Sequence, residues 1–457
     1  MMMSRRELMA SMPAMGAVAA AQSGAGSRKP NVIVIVADDL GCTDLGCFGA
    51  GDLKTPHLDE LAKSGVKWTS WYSNAPVCAP ARGSILTGRY PQRHGVVQNG
   101  RELDPAKQKT LAALLKPAGY ATACIGKWHQ GHAENTVPNA HGFDYFYGFH
   151  SGCVDFYSHR YYWGDAGGTV NYHDLWRNRT EIFEDGQYLT ERITAETKGF
   201  LERSAGKPFF AYVAYNAPHY PMHAPAKYVE RFAGLEPERR TYAAMIAAVD
   251  DGVGEIRATL RRLGQLENTL IVFAGDNGAT TEKRAGLNQQ FATAGQNGPY
   301  RGFKFSLFDG GMHVPAIVSW PGKIRGGQVN AEIAMSMDIV PTALEAAGVK
   351  APEGYQIDGW SVLPMALSGA KSPHDHIAWA SAGQQALRRG EWKLVLGGKV
   401  FGRSADGGKA LAGEDAVWLS NLVQDPGETK NLRRQHPEIV DQLSTLLEQW
   451  RRRFDAE

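Results

Sequence analysis

The sequence has little cysteine, little net charge and few long apolar runs. Five cysteines among 457 residues are too few for a disulfide framework, and no Cys-x-x-Cys pair indicates zinc binding or redox exchange. We therefore expect mostly free thiols, with Cys42 and Cys47 as one pair that could join. Lys and Arg total 49 and Asp and Glu total 47, and the formal charge of +2 argues against a nucleic-acid-binding protein.

The one long apolar run near an end covers residues 8–21, which is shorter than the roughly 20 residues of a membrane span. Arg5 and Arg6 precede it, and three alanines at 19–21 form a small-residue cleavage site. This pattern predicts an export signal of the twin-arginine type at residues 1–21, and hence a periplasmic or extracellular protein. No later segment is apolar and long enough to predict a transmembrane helix.

Apolar strands alternate with amphipathic helices through most of the chain. The predicted strands lie at 31–37, 121–126, 208–215, 269–274 and 314–320, and the predicted helices at 56–65, 110–118, 190–203, 236–263 and 338–347. Thr55 is the expected N-cap of the first helix. The alternation predicts an α/β fold in which helices sandwich a large, mostly parallel sheet. We assign residues 28–354 to this domain.

The pattern of predicted elements changes after about residue 354. Shorter strands are predicted at 377–380, 392–396 and 417–419, followed by a terminal amphipathic helix at 437–454. The sequence therefore predicts a smaller C-terminal α+β domain at 355–457 with an antiparallel sheet.

Polar residues follow the ends of four predicted strands. In chain order they are Asp38 and Asp39, Lys127 and His129, His219, and Asp276 and Asn277. Ligands of parallel α/β sheets bind beyond the carboxyl ends of the strands, so these side chains are expected to meet at one sheet edge. Taken alone, each of the two acidic pairs is equally well explained as a helix cap or a turn, and the lysine and the histidines are better explained as a surface lysine and as histidines with structural hydrogen bonds.

The four acidic and amide residues among them offer only oxygen ligands. Hard oxygen sets suit Ca²⁺, with Mg²⁺ as the alternative, and carboxylates crowded without a cation would repel one another. We expect Asp38, Asp39, Asp276 and Asn277 to bind a divalent ion. The lysine would supply charge for an anion, and the histidines could exchange protons.

Cys78 lies just before Pro80, a residue that favours the first turn of a helix. A side chain there faces the amide groups at the helix N-terminus, and Arg82 follows one turn later. From the residues alone, the alternatives are an activated thiolate and a buried structural cysteine.

The segment Cys-Ala-Pro-Ala-Arg, with Leu-Thr-Gly at 86–88, resembles the signature of type I, formylglycine-dependent sulfatases of the alkaline phosphatase superfamily. Further similar blocks are NVIVIVADDLG (31–41), GKWHQG (126–131), NAPH (216–219), GDNG (275–278), 301–321 and 418–432. The resemblance implies that a separate maturation enzyme converts Cys78 to formylglycine. It also implies that Asp38, Asp39, Asp276, Asn277 and the modified Cys78 bind the metal.

The same resemblance implies a sulfate site. Its residues are Arg82, Lys127, His129, His219 and Lys304. In the mechanism that these residues support, Lys127 and Lys304 stabilise charge on the sulfuryl oxygens, and His219 protonates the departing alcohol. His129 removes the proton whose loss releases sulfate. Phe303 and Phe305, which flank Lys304, depart from the small residues common in the family.

The stretch from Phe143 to Trp176 is rich in aromatic rings and cations. It could form a wall of the substrate pocket, or it could be a loop that packs its own rings. Candidate substrate-binding residues here are His150, Ser151, Arg160 and Arg177. The expected substrate is a sulfated carbohydrate or an aryl sulfate.

Three other functions stay open at this point. A phosphomonoester or phosphonate monoester hydrolase of the same superfamily would share the sheet and the metal. A non-catalytic protein that binds sulfated glycans would keep Cys78 unmodified. A generic cysteine hydrolase would not need the acidic pairs.

Overall fold

The computed structural model describes residues 29–161, 171–282, 291–402 and 408–455. The predicted export signal at 1–21 and two of the predicted pocket aromatics, Tyr162 and Trp163, lie outside the described residues. Among the helices that are described, we find none with the length and apolarity needed to cross a bilayer.

Strands and helices alternate along much of the described chain. The strands are Asn31–Ala37 (β1), Val66–Trp68 (β2), Trp71–Tyr72 (β3), Ala121–Lys127 (β4), Tyr145–Phe149 (β5), Trp176–Arg177 (β6), Thr180–Glu181 (β7), Phe209–Ala214 (β8), Thr269–Gly275 (β9), Ala316–Ser319 (β10), Gln328–Asn330 (β11), Ala334–Met335 (β12), Ile377–Ser381 (β13), Gln384–Arg389 (β14), Trp392–Leu396 (β15) and Val417–Asn421 (β16). The helices are Pro56–Lys63 (α1), Cys78–Thr87 (α2), Pro91–His94 (α3), Leu111–Leu115 (α4), Leu189–Arg203 (α5), Ala226–Val229 (α6), Pro237–Arg262 (α7), Asp309–Met312 (α8), Ile339–Ala347 (α9), Leu363–Ser368 (α10) and Pro437–Arg452 (α11).

Within the described residues, ten strands form one large sheet in the order β11-β2-β10-β9-β1-β8-β4-β5-β6-β7. Its five central strands, β9 to β5 in that order, are all parallel. Strands β10, β6 and β7 run antiparallel to their neighbours. The prediction of a large, mostly parallel sheet is confirmed.

β1 shows why the sheet is covered on both faces. Its side chains alternate: Ile33 and Ile35 belong to a hydrophobic cluster with α1, α5 and α7, whereas Val32, Val34 and Val36 belong to one with α2, α4, α9 and α10. A strand with two buried faces needs a continuous apolar run, which the sequence NVIVIVA provides from Val32 to Ala37.

A separate antiparallel sheet, β13-β14-β15-β16, follows in the C-terminal part of the chain, as predicted. Helix α11 covers it with Leu443, Leu447 and Trp450. Strand β14 was not predicted, because its sequence QQALRR contains only two adjacent apolar residues and shows neither alternation nor a continuous apolar run.

Three local predictions are corrected by the structure. Thr55 does not cap α1: its hydroxyl donates to Asp59 at 3.1 Å and accepts from the Gly46 N–H at 2.8 Å. The helix predicted at 110–118 ends as a 3₁₀ turn after Leu115, where Pro117 lacks an N–H. Cys42 and Cys47 do not pair, and all five thiols are free as otherwise expected.

A buried ion pair supports the segment that leads into α9. His374 Nε2 lies 2.8 Å from Asp338 Oδ2, and the same carboxylate accepts hydrogen bonds from the N–H groups of Met335 and Trp360. Burial opposes the charged imidazole, but the attraction and hydrogen bond of Asp338 outweigh it and raise the pKa of His374 above 6.5. Folding therefore takes up a proton at this site.

We expect the His374→Leu variant to lose stability in a pH-dependent way. The contribution of His374 is fully present below about pH 6.5 and is lost as the pH rises through the raised folded-state pKa. Urea unfolding should show a loss of about 1.5–3 kcal/mol near pH 5.5 and a clearly smaller loss near pH 9. His376→Leu, at the more exposed pair with Asp375, is the control. An equal loss for His374→Leu at both pH values would contradict this assignment.

Candidate active site

The carboxyl ends of four adjacent parallel strands bring polar side chains together at one edge of the large sheet. Asp38 and Asp39 follow β1, and Asp276 and Asn277 follow β9. Lys127 is the last residue of β4, while His129 and His219 follow β4 and β8. All seven side chains are buried or nearly so, which solvated caps and turns would not require.

Cys78 is the first residue of α2 and points into this group. Its Sγ lies 3.6 Å from Asp38 Oδ1 and 3.9 Å from Asp39 Oδ1. Burial raises the pKa of the Cys78 thiol well above 9.0. As a thiol, residue 78 would stay protonated and would be a poor nucleophile, which disfavours the generic cysteine hydrolase.

Asp38 is the electrostatic centre of the cluster. Its Oδ2 lies 2.6 Å from Lys127 Nζ, and its Oδ1 lies 3.4 Å from Arg82 Nη2. Burial alone would raise the pKa of Asp38, but Lys127, His219 and Arg82 together hold it well below 3.8. Arg82 also forms a two-nitrogen contact with Asp276, with Nε and Nη2 at 3.0 and 2.9 Å from Oδ2.

A second group forms around Lys304, the residue that only the family resemblance indicated. Lys304 Nζ lies 3.0 Å from Asp39 Oδ2, 3.1 Å from Glu282 Oε2 and 3.5 Å from His219 Nε2. The other ring nitrogen of His219, Nδ1, lies 2.7 Å from the Tyr220 carbonyl oxygen and must donate to it. In the neutral ring, Nε2 therefore carries the lone pair that faces Lys304.

The acidic cluster fits a divalent cation. Ligand atoms of Asp38, Asp39, Cys78 and His219 all lie within 4.8 Å of one another. Asn277 donates through Nδ2 to Asp39 at 2.6 Å, whereas its buried Oδ1 has no hydrogen-bond partner among the described residues. Burial and the neighbouring Asp38 raise the pKa of Asp39, as expected for carboxylates crowded without a cation. Asp276 is engaged by Arg82 through one oxygen and by two backbone N–H groups through the other.

His129 is held against the site by its backbone. It has a positive φ of 53°, and its N–H donates to the His150 carbonyl oxygen at 3.1 Å. A Cβ at Gly152 would approach His129 Nε2 to 2.8 Å, so only glycine leaves room for the ring. Burial, with Lys127 and Arg82 nearby, lowers the pKa of His129 well below 6.5. The ring is therefore neutral and able to accept a proton.

Above this cluster lies a cavity of about 460 Å³, within the range of small-molecule sites. Cys78, His129, His219 and Lys304 line its floor. The remaining lining residues include Asn99, Arg101, Glu102, His132, Ser151, Tyr161, Tyr172, Glu282 and Phe305. Tyr161 and Tyr172 stack on each other with ring centroids 5.1 Å apart.

The aromatic stretch thus divides between the two roles considered for it. Tyr161 and Tyr172 line the cavity, whereas Phe146, Phe149 and Phe156 are buried in the hydrophobic clusters. No sequence signal separated the two groups, because both are spaced irregularly. Glu282 also gave no signal, since it follows a strand end by several residues in a polar segment.

Of the four candidate substrate-binding residues, Ser151 lines the cavity, and its N–H donates to Asp174 at 2.8 Å. His150 is buried and stacks on Phe146. Arg160 is exposed and pairs through its backbone with His173. Arg177 lies 2.8 Å from Glu196 Oε1, and neither it nor Arg160 is among the residues that line the cavity.

A second cavity, of about 620 Å³, adjoins the first and shares Asn99 and Phe305 with it. Phe305 holds a left-handed backbone with φ 73°, which is strained for a bulky residue. Its N–H donates to Pro76 O and its carbonyl accepts from Gln384 Nε2, both at 2.7 Å. Ser381, Ala382 and Gln385 of the C-terminal sheet line the far side.

Comparison with known proteins places these residues in context. The family model described as Sulfatase matches residues 30–349. Mouse (Mus musculus) arylsulfatase J is 31% identical over 471 residues, which cover 93% of this chain and 76% of the relative. Human (Homo sapiens) N-acetylgalactosamine-6-sulfatase is 32% identical over 92% of this chain and 84% of its own. The solved structure of Ps i-CgsB in complex with k-i-k-neocarrahexaose has a TM-score of 0.81 and 30% identity, over 93% of both chains.

Proposed function

Because the chain belongs to the sulfatase family and is a sulfuric ester hydrolase, we propose that it removes sulfate from sulfated carbohydrates. Two of the similar proteins are named for carbohydrate substrates or ligands. The two adjoining cavities support this proposal, since a chain of sugar units is longer than one sulfated ring and could extend from the first cavity into the second.

The observation that carries the proposal is the position of Cys78. It lies at the N-terminus of α2, within 3.9 Å of Asp38 and Asp39, on the floor of a cavity that Lys304 also lines. No other arrangement in the described part of the chain combines a modifiable cysteine, an acidic cluster and buried cations in this way.

We propose that a maturation enzyme converts Cys78 to formylglycine before the protein functions. The hydrated aldehyde supplies two hydroxyl groups on one carbon, one to accept the sulfuryl group and one whose deprotonation releases sulfate. Asp38, Asp39, Asp276 and Asn277 would hold the cation, calcium in the first instance, which supplies Lewis-acid polarisation of a sulfate oxygen.

The cations of the site bind and orient the sulfate group. Lys127 and Lys304 are buried, so their charges act in a medium that screens little, and each can donate to a sulfuryl oxygen. Arg82 is held by Asp276 and by the Lys127 carbonyl oxygen at 3.4 Å, and it keeps α2 and the strand ends in register. The common task of Lys127, Lys304 and Arg82 is to stabilise the negative charge that develops as the sulfate ester bond breaks.

Proton transfer to the departing alcohol would use His219. Burial lowers the pKa of His219 to about 3, so the ring is neutral at rest and takes up its proton from solvent when the negatively charged sulfate ester binds beside it. Lys304 Nζ lies 3.5 Å from Nε2 and keeps its own proton, because, despite burial, the nearby Asp39 raises the pKa of Lys304 well above 10.5. His219 then passes a proton to the alcohol oxygen, and His129, with its unprotonated ring, takes the proton whose loss releases sulfate.

Export and maturation belong to the same proposal. The twin-arginine motif and the apolar run of residues 8–21 support a periplasmic or extracellular location, where sulfated polysaccharides would be encountered.

The proposal is tested by co-expressing the chain with a formylglycine-generating enzyme and measuring the mass of the peptide that contains Cys78. Activity is then measured on 4-nitrophenyl sulfate, on 4-nitrophenyl phosphate and on sulfated oligosaccharides of galactans and glycosaminoglycans. We expect the modified peptide and sulfate release. A higher rate on the phosphate ester would favour a phosphomonoesterase, and an unmodified thiol in the fully active protein would refute the formylglycine assignment.

Removal of the cation should abolish this activity. Chelation with EDTA is expected to lower kcat/KM for 4-nitrophenyl sulfate on the order of 10²-fold or more, because a Lewis acid contributes several kcal/mol to such reactions. Calcium chloride added in excess should restore the rate. Full activity after exhaustive chelation would contradict a metal-dependent site.

A further inference from the structure

The excursion between β5 and α5 contains a group of potential metal ligands that lies apart from the acidic cluster. One ligand atom each of His159, His173 and Asp185 lies within 4.8 Å of the other two. His159 is fully buried and His173 is 9% exposed, whereas Asp185 is on the surface. The three residues come from separate segments that are held together by backbone hydrogen bonds. Asp174 N–H donates to His159 O at 2.9 Å, and Gly186 N–H donates to Tyr157 O at 2.8 Å.

In each histidine, one ring nitrogen is committed and the other is free. His159 Nε2 lies 3.0 Å from the Gln187 carbonyl oxygen, and His173 Nδ1 lies 2.9 Å from Glu181 Oε1. Both partners can only accept, so these nitrogens carry the protons and the opposite nitrogens carry lone pairs. Those opposite nitrogens, His159 Nδ1 and His173 Nε2, are buried and have no hydrogen-bond partner among the described residues.

Two buried lone pairs without a donor are costly, and they are rare in folded proteins. The arrangement is the one that metal-binding histidines adopt, in which the second nitrogen donates to a carboxylate or a backbone carbonyl group. Both kinds of acceptor occur here: His173 donates to the carboxylate of Glu181, and His159 donates to the backbone carbonyl group of Gln187.

A third cluster shows that ligand spacing alone is not sufficient. His57, Asp250 and Asp251 also have ligand atoms within 4.8 Å of one another. There, however, the Asp250 carboxylate accepts hydrogen bonds from the N–H groups of His57 and Leu58, at 3.2 and 2.7 Å, so both of its oxygens are used at the start of α1. By contrast, His159 Nδ1 and His173 Nε2 form no hydrogen bonds with the described residues.

We propose that His159, His173 and Asp185 bind a zinc ion that fixes one wall of the substrate cavity. Two imidazoles and one carboxylate are a ligand set that suits Zn²⁺, with a water molecule in the fourth position on the exposed side of Asp185. Calcium and magnesium, which prefer oxygen ligands, are disfavoured at this set.

The location of this site explains what the ion does. Tyr161 follows His159 by two residues, and Tyr172 directly precedes His173. The two tyrosines stack, and Tyr161 N–H donates to Tyr172 O at 2.8 Å. Because both rings line the cavity above Cys78, an ion that joins His159 to His173 holds the aromatic wall in position.

Zinc binding is tested on the full chain after chelation, by calorimetric titration with zinc chloride in excess calcium chloride, which occupies hard oxygen sites. We expect one zinc equivalent per chain. Asp185→Asn and His173→Gln should weaken binding by at least about tenfold, because even supporting residues of metal sites contribute that much. Asp441→Asn, an exposed carboxylate of α11, is the control and should bind zinc like the parent.

Asp185 is exposed, so its replacement should leave folding intact even if the histidine variants do not fold. No saturable zinc binding by the parent chain, or equal affinity of Asp185→Asn and the parent, would overturn the proposal. Zinc should also raise the melting temperature of the parent chain and not that of Asp185→Asn.

The effect on catalysis rests on the proposed sulfatase function, whereas zinc binding does not. Zinc-free protein with calcium restored should show a raised KM for a sulfated oligosaccharide and little change in kcat, since the ion positions the wall and does not touch the reacting atoms. An unchanged KM would overturn the positioning role. A protein that binds zinc but hydrolyses no sulfate ester would instead refute the proposed function.

Discussion

Serine in place of Cys78 is expected to give a protein that accepts sulfate once and does not release it. A serine hydroxyl at the N-terminus of α2 would occupy the position of the thiol, near Asp38 and Asp39, and could attack sulfur while the alcohol departs. The product is a sulfate ester of the serine. Serine has no second hydroxyl on the same carbon, so no proton loss can expel the sulfate.

The expected result is a burst of at most one equivalent of alcohol, followed by a steady-state rate at least about 10³-fold below that of the matured enzyme. Mass spectrometry should find one sulfuryl group on the peptide that contains residue 78. Cys47→Ser, a free and half-buried thiol of another cavity, is the matched control and should turn over normally. Sustained turnover by the Cys78→Ser variant would contradict the role given to the second hydroxyl.

The largest expected effect on stability comes from Lys393 of β15. Lys393 Nζ lies 2.6 Å from Asp309 Oδ1 and 3.3 Å from Glu428 Oε1, and the side chains of all three residues are at most 2% exposed. Asp309 also accepts a hydrogen bond from the Tyr72 hydroxyl at 2.8 Å. Burial and the nearby Asp309 raise the pKa of Glu428 to about 7, so Lys393 is the ammonium group that compensates both carboxyls.

We expect Lys393→Met to lower the free energy of unfolding by about 3–5 kcal/mol, because it leaves buried carboxylates uncompensated. Denaturant unfolding at neutral pH measures this loss. Adding Glu428→Gln to this variant should recover part of the lost free energy of unfolding, since the second substitution removes one of the buried charges that have lost their partner. Lys371→Met is the matched control: Lys371 is 89% exposed beside Glu332, and such pairs contribute about 0–1 kcal/mol. A loss below that of the control would contradict the role assigned to Lys393.

The sequence predicted those elements of the fold that depend on a single physical requirement, such as burial of a strand on both faces. β1 and β9 are buried on both faces, so nearly every position had to be apolar and the continuous apolar runs were visible in the sequence. Edge strands such as β6 and β7 contain two residues each and exist through pairing with neighbours, which no local pattern encodes. Thr55 had the residue type of a cap, but the nearby Gly46 N–H competed for its oxygen.

The residues of the candidate site also fall into two groups: those that a local sequence pattern indicates, and those whose position depends on long-range contacts. Asp38 and Asp276 could be chosen because a polar residue after a buried strand lies at the sheet edge by topology. Lys304 lies in a loop, and its place beside Asp39 depends on the backbone bonds of Phe305 to Pro76 and Gln384. Such long-range contacts are absent from any local pattern, so only the family resemblance indicated the lysine.

The hydrogen bonds of Gln384 have a consequence for how this protein can be recombined. One side chain from the C-terminal sheet binds the Phe305 carbonyl oxygen and accepts from the Leu307 N–H at 3.2 Å, and therefore grips the loop that carries Lys304. The sheet is thus a structural brace for the chemistry and not an interchangeable module. A chimera that takes its C-terminal segment from a relative would have to inherit the matching loop, so the two regions are expected to be exchanged, and to evolve, as one unit.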